Sequence, residues 1–287
     1  MLVSLFYHID EFCKLLKTSR IENESHSLNR SSLSDSEIMT ICVYFHYSGF
    51  KTFKDFYTKS VLVHHTTDFK HLVSYNRFVE LKQEIALDLG LLAQVLCQSN
   101  KSIGISFIDS FPLVVSHNKR IYSHKVFKGV AARGKTSVGW FFGFKVHIVI
   151  DPLGNILNFD LTSGNLSDNN QDLLESLTNG LSGKVFGDKG YLLRSEIFKY
   201  FYEKGVHFIH KIRGNMQNKL MDIEDKIMLK KRGLVESVID ILKVHLSVDH
   251  TRHRSKTAFL SNLFSGLISY FFRPEKPHIA VKLHSSL

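Results

Sequence analysis

The chain has 287 residues, 44% hydrophobic and 12% aromatic with only four prolines, which excludes a disordered polymer and suffices for one large or two smaller cores. Its 37 Lys and Arg against 27 Asp and Glu give a net charge of +10, spread unevenly: residues 1–100 carry 10 basic and 11 acidic side chains, residues 101–287 carry 27 and 16. A basic domain with a polyanionic partner follows, while three scattered cysteines without a CxxC pair argue against a disulfide framework or a zinc ribbon.

Residues 1–100 read as helical. Leu2, Leu5, Phe6, Ile9, Phe12 and Leu16 follow helical spacing. Acids inside this apolar stretch and the lack of a small-residue cleavage site argue against a signal peptide. Residues 18–32 read as a polar loop. Ser34 and Glu37 form a possible capping box opening a helix that closes at Gly49, and one long helical pattern runs through residues 76–96.

After Lys101 the pattern changes to strands rich in Phe, Val and Ile, with Pro152–Gly154 as the turn of a hairpin. A helix capped at Ser167 or Asp168 follows, then a strand ending at Gly187, a helix ending at Gly205, and a short strand. Beyond a basic segment lies an amphipathic helix with Leu234, Val238, Ile241 and His245 on one stripe and Arg232, Glu236, Asp240 and Lys243 opposite. The succession predicts a mixed α/β sheet with helices packed on it. The late run at residues 258–272 is too short and too rich in Ser to span a bilayer, so the expected location is the cytoplasm.

Three acids stand out. Asp109 shares a period-two face with Ile103, Ile105 and Phe107, near the expected end of its strand and just before Pro112. A buried carboxylate needs a partner or a metal. Asp188 ends a short apolar strand, where α/β folds build sites, although a turn role is the plain alternative. Glu236 lies on the polar helix face, with simple solvation as its alternative reading. Three carboxylates on a basic α/β domain suit Mg²⁺ shared with phosphate oxygens. His117, His124, His250 and His253 form no zinc-ligand spacing and fit phosphate contacts or structural hydrogen bonds better. Trp140 and the aromatics after it read as strand core in preference to a base-stacking platform.

Taken together, "LSDSEIMTICVYFHYSGF", "SYNRF", "IDSFPLVV", "RIYSHKVFKGVAARGKTSVGWFFGFKVHIVID", "SGNLSDNNQ", "GDKGY", "KRGLVESVIDILK" and "DHTRHRS" resemble the DDE transposases of bacterial insertion sequences, closest to the group numbered nine-eighty-two. The resemblance implies a helical region over residues 1–100 that recognises transposon ends. It implies an RNase H-like catalytic domain over 101–272 and a C-terminal tail over 273–287. Asp109, Asp188 and Glu236 match the catalytic, metal-holding triad. The signature around the glutamate is met by Arg232, Glu236 and Lys243, while its usual Tyr position holds Leu229. Implied with these are two Mg²⁺ ions (Mn²⁺ as substitute), a homodimer or higher assembly on DNA, and phosphate contacts from Arg232, Lys243 and Lys189. Lys119, Arg120, Lys125, Lys128, Arg133 and Lys135 continue that expected DNA track. The implied reaction is hydrolysis at the transposon end, followed by attack of the freed 3′-hydroxyl on target DNA. The competing readings are a non-catalytic DNA-binding remnant and a stand-alone nuclease of the same fold.

Overall fold

A computed structural model describes residues 1–21, 32–211, 221–249 and 253–280. Most of the expected polar loop, and His250, therefore lie outside the described residues. The chain divides into two compact units, Met1–Leu96 with Ile241–Arg273 and Cys97–Asp240 with Pro274–Leu287. Residues 241–272, which the sequence reading ran together with the strand-rich segment, are thus grouped with the N-terminal helices.

The first unit is helical. It holds α1 (Leu2–Ile21), α2 (Asp35–Phe45), and a short α3 (Phe53–Phe56) that passes through a π turn into α4 (Leu62–His64). Then come α5 (Tyr75–Glu84) and α6 (Ala86–Ser99). Leu5, Ile9 and Cys13 are the buried stripe of α1. Ser34 caps α2 as expected: its hydroxyl accepts from Glu37 N at 3.2 Å while Glu37 accepts from Ser34 N at 2.7 Å. The long pattern expected over residues 76–96 is broken at the buried Ile85 into α5 and α6.

The sixteen-residue helix at Lys256–Phe271 explains its own composition. Ser261, Ser265 and Ser269 recur every fourth residue, all buried, and each hydroxyl donates to a carbonyl one turn back at 2.5–2.9 Å. Ser261 also reaches Lys82 O and Ser269 reaches Val43 O, both at 2.9 Å, so small polar residues bring this helix close to α2 and α5. No helix among the described residues is long and apolar enough to cross a membrane.

His46, at the end of α2, is buried with Nδ1 2.5 Å from Leu246 O. Burial pulls its imidazole down to about 3 from the usual 6.5. Between those values the unfolded chain takes up a proton that the folded chain refuses. Stability is therefore expected to fall as pH drops from 6.5 toward 3, by on the order of 1.4 kcal/mol per pH unit from this group. Denaturant melts of the wild type and of His46→Gln at pH 7, 5 and 4 should diverge, with the shallower slope in the variant. Parallel slopes would remove His46 from the account.

The second unit is a six-stranded mixed sheet. In chain order it contains β1 (Ile105–Ser116), β2 (Ala132–Lys135), β3 (Trp140–Ile150), β4 (Ile156–Ser163), α7 (Gln171–Thr178) and β5 (Gly183–Gly187). These are followed by α8 (Ser195–Glu203), β6 (Val206–His210), α9 (Ile223–Lys231) and α10 (Gly233–Asp240). The strand order is β2-β3-β1-β5-β6, with β4 pairing the same edge of β3 as β2. β1 runs antiparallel to β3 and parallel to β5. One face is covered by α7 and α8 around Ile108, Val149, Leu174, Val185 and Phe201. On the other, α10 packs on β1 and α9 on β5 and β6. This is the expected fold class, an RNase H-like mixed sheet preceded by helices.

Several details depart from the sequence reading. β1 does not end before Pro112 but continues to Ser116, with Pro112 opposite Lys145. Pairing with β5 stops at Phe107, which leaves that edge of β1 without a strand partner at the proline, where a missing N–H costs least. β2, "ARGK", was too short and polar to register as a strand. The cap of α7 is Asn170, whose Oδ1 accepts from Leu173 N at 3.0 Å, and neither Ser167 nor Asp168. The expected hairpin joins β3 to β4, its turn closed by Asp151 Oδ1 accepting from Leu153 N and Asn155 N at 2.9 and 2.8 Å. Finally, α10 passes into a π turn at Ile241–His245, where Leu246 N donates to Ile241 O. Along this stretch Leu242 and Leu246 are buried while His245 is exposed.

Candidate active site

The parallel ladder between β1 and β5 pairs Ile105 with Lys184, Ser106 with Val185 and Phe107 with Phe186. Continued by two residues, that register sets Asp109 level with Asp188, on the same face, where the two strands part. Crevices at the carboxyl ends of parallel strands are where α/β sheets bind ligands. Asp109 is fixed by the rigid strand. Asp188 caps the 3₁₀ turn Lys189–Tyr191, its Oδ1 accepting from Gly190 N at 2.6 Å.

The third acid joins them through Arg232. This guanidinium donates from Nη1 to Asp109 Oδ2 at 2.6 Å and from Nη2 to Glu236 Oε1 at 2.7 Å. The Asp109 and Arg232 side chains are only 19% and 13% exposed, whereas Glu236 is 59% exposed. Burial raises the Asp109 carboxyl above its usual value, and the Asp188 charge adds to this, while Arg232 and the Ser110 N–H work against it. For Arg232, burial lowers the guanidinium, but Asp109, Glu236 and Asp188 prevail and hold it above its usual value. A cation therefore already bridges two of the acids. Among the described residues, no group of three or more His, Cys, Asp or Glu is placed to hold a metal.

A second polar layer, which sequence reasoning missed, lies on the opposite face of β1. Asp168, released from capping α7, accepts from Lys145 Nζ at 2.9 Å and from Ser110 Oγ at 3.2 Å. His147 Nδ1 lies 3.8 Å from the same oxygen, and its Nε2 pairs with Thr162 Oγ1 at 2.9 Å. Gly190 sits between two acids: a Cβ there would lie 2.9 Å from Asp188 Oδ1 and 3.4 Å from Asp168 Oδ2. Tyr191 is buried beneath them, its phenol pushed well up by burial and then by Asp168, Asp109 and Asp188. The available signal was Lys145 and His147, two polar residues at period two in an apolar strand.

The remaining expected contacts are more dispersed. Lys189, Arg120 and Lys125 are exposed, and Lys243 lies in the π turn that belongs to the first unit. Leu229, at the usual Tyr position, is buried in α9. His117 accepts from Lys119 N at 3.3 Å, His124 stacks on Phe127 with centroids 5.6 Å apart, and His253 packs edge-on against Phe259. Trp140, expected in the core, is 52% exposed, whereas Phe141, Phe142 and Phe144 are buried.

No curated protein matches the chain. The family model of the transposase DDE domain matches residues 99–256, from just before β1 to the first residue of the helix at Lys256–Phe271, and so spans Asp109, Asp168, Asp188 and Glu236. With that match over more than half its length, the chain belongs to the DDE transposase family.

Proposed function

We propose that this chain is an active insertion-sequence transposase of the group numbered nine-eighty-two, with Asp109, Asp188 and Glu236 as its catalytic carboxylates. It cleaves a phosphodiester at the ends of its element and transfers the freed 3′-hydroxyl strand to target DNA. The observation that carries the reading is the in-register pair Asp109 and Asp188, with Glu236 joined to Asp109 through one guanidinium. Carboxylates are hard oxygen donors, and a cation already lies among these, so the residues fit Mg²⁺ or Mn²⁺. Asp109 and Asp188 would hold it, with Glu236 the third donor when Arg232 is not on it. When bound, two such ions supply an activated water and stabilise the leaving oxygen.

The chain's own residues do the rest. Arg232 neutralises the acids in the metal-free protein and, with Lys243, Lys189, Arg120 and Lys125, holds backbone phosphates on DNA. Residues 1–100 read the terminal repeats, and the protein acts as a homodimer or higher assembly on DNA.

The test is a duplex carrying the inverted repeats that flank the gene. With Mg²⁺, nicks at the element ends and joined products are expected; chelation should abolish both and Mn²⁺ restore them. Cutting without regard to the repeats and without joining would indicate a stand-alone nuclease. Binding without cutting would indicate an inactive remnant.

A further inference from the structure

The hairpin of β2 and β3 presents the chain's only tryptophan to solvent. Lys135 is directly opposite Trp140 and Arg133 is opposite Phe142, all on one face. The Arg133 guanidinium lies 4.8 Å and Lys135 Nζ 5.5 Å from the centre of the Trp140 ring. At the tip, Val138 is 97% exposed. A large apolar ring left half in water, beside a bare valine and two cations, is not explained by core packing.

The platform is rigid. Thr136 N donates to Gly139 O at 2.8 Å and Gly139 N to Thr136 O at 3.2 Å, closing the turn. Asn118 Nδ2 holds the Trp140 carbonyl at 2.7 Å. Gly134 admits no side chain, since a Cβ would lie 2.2 Å from Gly164 O, so β2 is pressed against the start of the segment after β4. Neither Arg133 nor Lys135 has a carboxylate partner among the described residues. Asp109 is the one acid in residues 101–150, and it is bound to Arg232. The surface thus offers a fixed aromatic plane flanked by unneutralised positive charge.

We infer that this hairpin is a binding site for an unstacked nucleobase of the DNA substrate, with Trp140 as the stacking plane, Val138 as an apolar wedge, and Arg133 and Lys135 on the adjoining phosphates. Aromatic stacking tolerates any base, and apolar side chains inserted between base steps unstack them. The inference rests on the reading above that the substrate is DNA, and deepens it by assigning the site that takes a base out of the helix.

Because Trp140 is the sole tryptophan, its emission reports the site directly. The full chain, in metal-free buffer, is titrated with a fluorescently labelled single strand, with a duplex carrying an unpaired end, and with inorganic polyphosphate of matched charge. Anisotropy of the label is read in parallel with Trp140 emission. Saturable quenching by the single strand and by the frayed duplex is expected, with none by polyphosphate. Trp140→Ala should weaken single-strand binding roughly tenfold, and Trp140→Phe should restore most of it. Its side chain lies outside the core, so circular dichroism should be unchanged. DNA binding without quenching, or equal quenching by polyphosphate, overturns the stacking site alone. Emission that shifts with protein concentration and no DNA overturns it in favour of self-association. If no DNA binds at all, the inference falls together with the proposed function.

Discussion

Asp109→Ala is expected to abolish cleavage at the transposon end, by at least about 10³-fold or ~4 kcal/mol of transition-state stabilisation, while leaving a folded protein that still binds its ends. The expectation follows from position. Asp109 sits on a strand paired on both sides up to Phe107 and with β3 beyond it, level with Asp188, so no neighbouring carboxylate can move into its place. The change in stability should be small, because the lost bond to Arg232 is offset by relief of repulsion from Asp188. Asp188→Ala should be equally inactive and about 1 kcal/mol less stable, since it also removes the cap on Gly190 N. Glu236→Ala should be inactive with little change in melting temperature, because the Glu236 side chain is 59% exposed and Arg232 keeps its bond to Asp109. Each variant is assayed for Mg²⁺-dependent nicking, for end binding, and by thermal melting. Cleavage retained by any one of them would remove that residue from the triad.

Arg232→Ala carries the second large effect, and it concerns stability. Removing the guanidinium leaves Asp109 largely buried beside Asp188 with no counter-charge, a loss of about 2–3 kcal/mol, or roughly 5–10 °C in melting temperature. Two readouts separate this charge effect from lost packing. Millimolar Mg²⁺ should recover part of the loss in the variant, because a cation bound only by the folded state stabilises it. Lowering the pH toward the carboxylate range should also narrow the gap. Without Arg232 the folded Asp109 carboxyl lies still further above its unfolded value, so its penalty is present at neutral pH and fades as the pH falls through the folded value. Arg232→Lys should recover little, since one ammonium cannot make the two-pronged bridge to Asp109 and Glu236. A gap indifferent to both Mg²⁺ and pH would mean that Arg232 acts through packing.

Much of the fold was legible because the relevant signals are local. The Ser34–Glu37 box, the turn around Gly154 and the switch from helical spacing to strands after Lys101 all depend on neighbours within a few residues. Composition and charge pointed to a polyanionic partner, and the apolar setting of Asp109 marked it as an acid in need of company. What only the tertiary structure decided depends on residues far apart in the chain. Strand register set Asp109 beside Asp188, and the turn between α9 and α10 brought Arg232 to an acid 123 positions earlier. Local rules also misplaced residues where two neighbours compete for one role. Asn170 took the cap expected at Ser167 or Asp168, which left the Asp168 carboxylate to the layer beneath the site. A π turn shifted the last turn of the amphipathic helix by one residue. Periodicity called Trp140 core because it continues the pattern of β3, yet β2 and β3 end in solvent there. Sequence periodicity reports which side of a strand a residue faces, whereas burial depends on what other elements cover that side.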